Sequence, residues 1–168
     1  MMTTYRTIVV GTDGSALAAP TVRRAARLAQ LEDADLVIVC AWSGLLRRAE
    51  AKSTSTLGLD PAAGDVRGRS SASQALADAV GVAREVGATT SAALLVEGDP
   101  AQALMSTAED RHADLIVVGA IRDVSIAERL LGTVATDVVR GARCDVLVVR
   151  PTDAQLQGDQ VVPEDVAL

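Results

Sequence analysis

Two stretches carry residue types and spacings from which a binding site can be built. The first is Leu115 to Gly119, L-I-V-V-G, together with Gly132-Thr133 further along. The apolar run reads as a strand buried on both faces, and Gly119 ends it in a turn. Val134 to Arg140 is helical in pattern, with Thr133 as the expected N-cap. A glycine and a hydroxyl residue at a helix start present unbonded backbone N–H groups and the positive end of the helix dipole. That arrangement suits a phosphate. The second stretch is G-T-D-G-S, Gly11 to Ser15, after the β-branched run Thr7 to Val10. Gly11 and Gly14 permit unusual backbone angles, Ser15 can cap the next helix, and Asp13 brings a carboxylate to the turn. Each stretch also has a plainer reading. Asp13 can serve an Asx turn within its own loop, and Gly132-Thr133 can be an ordinary helix start.

The elements that must position these groups alternate along the chain. Strands are expected at Thr7–Val10, Leu36–Ala41, Thr90–Val96, Leu115–Val118 and Val146–Val149. Between them fall helical patterns: one from about Ala16 to Leu31, and one capped by Ser71 or Ser73 and closed by Gly87. A third is capped by Asp99 with Pro100 at its first position and runs to about His112; the last closes at Gly141. Such alternation implies right-handed parallel crossovers and a three-layer α/β sandwich. Open parallel sheets hold ligands at the carboxyl edge of their strands. Asp13 follows its strand and lies on that edge. Asp35, Asp114 and Asp145 precede theirs, so they belong to the opposite edge as turn and edge residues.

Composition narrows the function classes. With 22 acidic against 16 basic residues the net charge is −6, which argues against a general binder of phosphate backbones. The chain has no Phe, one Trp (Trp42) and one Tyr (Tyr5), which argues against nucleic-acid binding through stacked aromatics. Arg23, Arg24 and Arg27 on the first helix form a solvated face. Cys40 and Cys144 lack a C-x-x-C partner and are expected as buried reduced thiols. His112, the only histidine, has no metal-ligand spacing around it. No P-loop, G-x-G-x-x-G, G-x-S-x-G or paired-histidine motif is present, which argues against an enzyme. Neither a secretory leader nor a membrane-length apolar run is seen, so a soluble cytoplasmic protein is expected. Residues 5–150 read as one domain, 43–70 as a variable mobile connection within it, and 151–168 as a loose acidic tail.

The spacing G-x2-R-x9-G-T, from Gly119 through Arg122 to Gly132-Thr133, resembles the nucleotide signature of the universal stress protein family, G-x2-G-x9-G-[ST]. Arg122 stands where the family has its second glycine. Gly98 and Pro100 match a further family pattern, G-x-P, and the resemblance runs from about Tyr5 to Arg150. It implies a five-stranded parallel sheet of order 3-2-1-4-5 with helices on both faces, in the adenine nucleotide alpha hydrolase-like manner. It further implies that Asp13, helped by Thr12, contacts base or ribose, and that the Ala41 backbone meets the adenine edge. Gly119, Gly132, Thr133 and the Val134 amide would hold ribose and phosphates, with Arg122 beside them.

The implied ligand is ATP or another adenine nucleotide, such as AMP or cyclic AMP, with Mg2+ accompanying a triphosphate. The implied role is regulatory, in a stress response, with at most slow ATP hydrolysis or self-phosphorylation. Family members also dimerise through the last strand, so a homodimer through Val146–Val149 is expected; no nucleic acid or membrane partner is. A side chain at position 122 costs about 1–2 kcal/mol if a left-handed backbone is required there. A guanidinium turned toward phosphates offers a comparable gain. The alternative is a member that has lost nucleotide binding and works as a dimeric interaction module.

Overall fold

The β-branched and aliphatic runs become strands because each has helices to cover it on both sides, and the mostly small apolar side chains of those helices pack close against the sheet. The computed structural model describes residues 4–43, 68–120, 131–150 and 152. Its elements are β1 (Thr7–Gly11), α1 (Ala18–Glu32), β2 (Asp35–Trp42), α2 (Arg69–Val86), β3 (Thr90–Glu97), α3 (Pro100–Asp110), β4 (Leu115–Gly119), α4 (Thr133–Gly141) and β5 (Asp145–Val149). All pairings are parallel and the order is β3-β2-β1-β4-β5, as the family resemblance implies. The interior of 43–70, the tail beyond Thr152, and Arg122 lie outside the described residues.

Alternation along the strands builds two cores. Ile8, Val10, Leu36, Ile38, Cys40, Leu115 and Val117 face α1 and α2, where Val22, Ala25, Ala26, Ala75 and Ala79 meet them. Val9, Val37, Val39, Ile116 and Val118 face α3 and α4, against Ala101, Leu104, Ala108, Ala135 and Val138. The helices therefore change sides between β1 and β4. Arg23, Arg24 and Arg27 point outward, as expected of that face.

Local signals were met unevenly. Asp99 caps α3, its Oδ1 accepting from the Gln102 amide at 2.9 Å, with Pro100 behind it. Gly87 closes α2 with left-handed φ +84. The other expected caps are displaced: α1 has Leu17 at its N-cap instead of Ser15, α2 has Gly68 instead of Ser71 or Ser73, and α4 has Gly132 instead of Thr133. At α1 and α4 the chain is anchored before the hydroxyl residue can reach the cap, through the Ser15 amide on Asp13 and the Gly132 amide on the Ala120 carbonyl. The thiols divide as well: Cys40 is fully buried and Cys144 only partly, and both are free.

The amino edge is closed by the aspartates assigned to it. Asp114 Oδ2 accepts from the Arg6 and Thr7 amides at 2.8 and 3.0 Å, and Asp145 Oδ2 accepts from the Tyr5 hydroxyl at 3.1 Å. These carboxylates tie the entry of β1 to β4 and β5. No helix among the described residues is long and apolar enough to cross a membrane.

Candidate functional site

The helices change side between β1 and β4, α1 and α2 packing on one face and α3 and α4 on the other; in open α/β sheets ligands are held at the carboxyl edge at such a switch. The pairing of these strands is Ile8 with Leu115, Val9 with Ile116 and Val10 with Val117. Continued in register, Gly11 comes level with Val118 and Thr12 with Gly119. The two stretches singled out in the sequence thus end side by side.

On the β1 side, Gly11 stays in the strand opposite Val39, and the Thr12 amide donates to the Val39 carbonyl at 2.9 Å. The bend comes at Gly14, whose φ is +73, while Asp13 Oδ1 accepts from the Ser15 amide at 2.9 Å. Asp13 therefore does make the Asx turn. The bond to Ser15 uses one carboxylate oxygen. It also holds Ser15 ahead of the helix, which is why Ser15 does not cap α1. Thr12 is only 9% exposed, and its hydroxyl has no hydrogen-bond partner among the described residues. A buried hydroxyl at a sheet edge without a partner is available to a ligand.

On the β4 side, Gly119 is the last strand residue, paired with Val149, and has no positive φ; the turn begins after it. Ala120 is buried, its amide donating to the Val149 carbonyl at 2.8 Å and its carbonyl accepting from the Gly132 amide at 2.6 Å. The chain is pinned at Gly132, so that residue and not Thr133 occupies the N-cap. No side chain caps α4, and its first ladder bond runs from the Thr136 amide to the Gly132 carbonyl at 3.0 Å. Helix geometry leaves the Thr133, Val134 and Ala135 amides without an intrahelical acceptor. They carry the positive end of the α4 dipole.

Ala41 lies near the end of β2, paired with Val96 and partly buried. Next to it Cys40 is held as a thiol: burial, and secondarily the Asp13 charge, push its pKa from 9.0 up to about 11. Thr12, Asp13, Ala41, Gly119, Gly132, Thr133 and Val134 all belong to one edge, and Asp35, Asp114 and Asp145 to the other. Sequence reasoning missed the packing under the first turn, where Gly11 meets Leu104 and Gly14 meets Ala75. A glycine at Gly14 was a signal; its partner helix was not.

Among the described residues no group of three or more His, Cys, Asp or Glu is placed to hold a metal ion. The chemistry on offer is a carboxylate acceptor, a buried hydroxyl and a row of amide donors. Those groups fit a molecule with hydroxyls at one end and an anion at the other.

Comparison with known proteins gives the same architecture. The universal stress protein Rv1636 of Mycobacterium tuberculosis is 38% identical over 151 residues, covering 90% of this chain and all of the relative. A universal stress protein solved in complex with cAMP superposes with a TM-score of 0.62 at 30% identity, covering 88% of this chain and 98% of that one. The universal stress protein from Archaeoglobus fulgidus in complex with dAMP gives a TM-score of 0.61 at 26% identity, covering 87% and 98%. The Universal stress protein family model matches residues 4–150. On the sheet order, the matched span and the identity with its relatives, this chain belongs to the universal stress protein family.

Proposed function

We propose that this protein binds ATP or a related adenine nucleotide, AMP and cyclic AMP included, and acts through the bound state with little or no turnover, as a cytoplasmic stress-response regulator. The observation that supports the reading is the β1–β4 register, which brings the ends of the two strands level, the Asp13 turn following one and the uncapped α4 being the next element after the other. Two relatives solved with cAMP and dAMP support the ligand class.

Each residue then has an atom-level role. Asp13 accepts from ribose hydroxyls or from the adenine amino group, and the Thr12 hydroxyl adds a contact. The Ala41 backbone meets the adenine edge. Gly119 gives room for the ribose, and the Gly132 to Val134 segment directs the Thr133 and Val134 amides to phosphate oxygens. Arg122, within the same sequence motif, supplies a guanidinium suited to phosphate oxygens. Mg2+ accompanies a bound triphosphate through the phosphates themselves. Titration calorimetry with ATP, ADP, AMP and cyclic AMP tests the reading. Saturable binding in the micromolar range is expected, and no saturation below millimolar concentration refutes it.

A second reading, a dimeric interaction module, is favoured by β5. It is an outermost strand in the sheet, and Val146 to Val149 are all only partly buried. An apolar edge strand needs a cover, and a second copy through that edge supplies one. Light scattering at micromolar concentration distinguishes a dimer, as expected, from a monomer.

A further inference from the structure

The turn that carries Asp13 is held from both faces of the sheet. A methyl group at Gly11 would stand 3.1 Å from Leu104 Cδ1 of α3, and one at Gly14 would stand 2.8 Å from Ala75 Cβ of α2. Leu104 is a flexible neighbour. Ala75 is not: its Cβ is attached directly to the helix backbone, and it is 5% exposed within the α1–α2 core. Gly14 must keep φ +73 against that methyl, and Asp13 is fastened to the same turn through its bond to the Ser15 amide. Interiors packed to this density respond to a single methyl group.

We infer that Ala75 is a positioning residue for the Asp13 carboxylate: its methyl group, packed against Gly14, fixes where the acidic turn sits at the ligand edge. The part that concerns affinity rests on the nucleotide reading above. The part that concerns position does not. No motif near Asp13 points to Ala75, which stands in another helix. The proposal gives α2 an influence on the site without a contact to ligand.

The test compares Ala75→Gly with Ala77→Gly, an exposed position on the same helix. Both substitutions weaken the helix alike, but only the first empties the space beside Gly14. The Ser15 amide sits in a part-exposed turn and exchanges through local opening, so its hydrogen-exchange rate reports on that turn. Ala75→Gly is expected to accelerate Ser15 exchange several-fold and to weaken AMP binding about three- to tenfold, within the lower part of the range for residues that couple through contact. Ala77→Gly should do neither. In an Asp13→Asn background, Ala75→Gly should have no further effect on AMP affinity. Equal behaviour of the two glycine variants overturns the inference, as does a full loss of affinity on top of Asp13→Asn. If wild-type protein does not bind AMP and Ser15 exchange still separates the two variants, the nucleotide reading falls and the positioning of the turn stands.

Discussion

Replacing Gly14 by alanine is expected to destabilise the protein severely, and its size can be worked out from two separate conflicts. At φ +73 an L-residue sits in the left-handed region, which costs about 1–2 kcal/mol. The new Cβ would also lie 2.8 Å from Ala75 Cβ, and overpacking of that kind costs roughly 1–3 kcal/mol. Together the loss is about 2–5 kcal/mol, a large fraction of the roughly 5–15 kcal/mol that holds a domain folded. Gly81 in α2 is the control. It is exposed, it has helical geometry, and apart from its chain neighbours and its own helix backbone no atom lies within 4 Å of an added Cβ. Gly81→Ala is expected to stabilise by about 0.5–1 kcal/mol. Urea denaturation followed by circular dichroism reads both changes. Adding Ala75→Gly to Gly14→Ala should return the steric part of the loss and leave the backbone part. A Gly14→Ala protein within about 0.5 kcal/mol of wild type, the range of ordinary surface substitutions, would refute the reasoning.

Two further outcomes follow from groups away from the ligand. Asp114→Ala removes the acceptor of the Arg6 and Thr7 amides and should lower stability by about 1–3 kcal/mol; calorimetric titration should show nucleotide affinity unchanged, since Asp114 belongs to the amino edge. The Cys40 thiol is raised from 9.0 to about 11, chiefly by burial. The folded state thus retains a proton that the unfolded chain releases first. Its contribution to stability is complete below pH 9 and is lost as pH rises toward 11. Urea midpoints measured across that window should fall in wild type and fall less in Cys40→Ala; parallel slopes would contradict the assignment.

The alternation of strands and helices was legible because five apolar β-branched runs are separated by helical patterns of the right length. Periodicity alone did not give the strand order; that came from the resemblance carried by Gly119, Arg122, Gly132 and Thr133. Edge assignment was legible too, because in a parallel sheet a residue before a strand and a residue after it must face opposite ways. Asp114 and Asp13 separated on that ground alone. Caps were read less well. Ser15, Ser71 and Thr133 all have the chemistry of an N-cap, yet none of them takes it, and at α1 and α4 anchors earlier in the chain decide the position. The Ala120 carbonyl takes the Gly132 amide, and Asp13 takes the Ser15 amide. Gly11 and Gly119 looked like turn residues and are strand residues, because the ladder continues through both to Val39 and Val149. The packing of Ala75 under Gly14 had no local signal, being a contact between elements far apart in the chain.

The most direct measurement is a backbone amide NMR titration with AMP and ATP. Concerted shifts are predicted at Thr12 to Ser15 and at Gly132 to Ala135, saturating with one dissociation constant, while Arg6, Thr7 and Asp145 stay still. Saturable shifts confined to the amino edge, or to only one of the two segments, would contradict a nucleotide held between β1 and the start of α4.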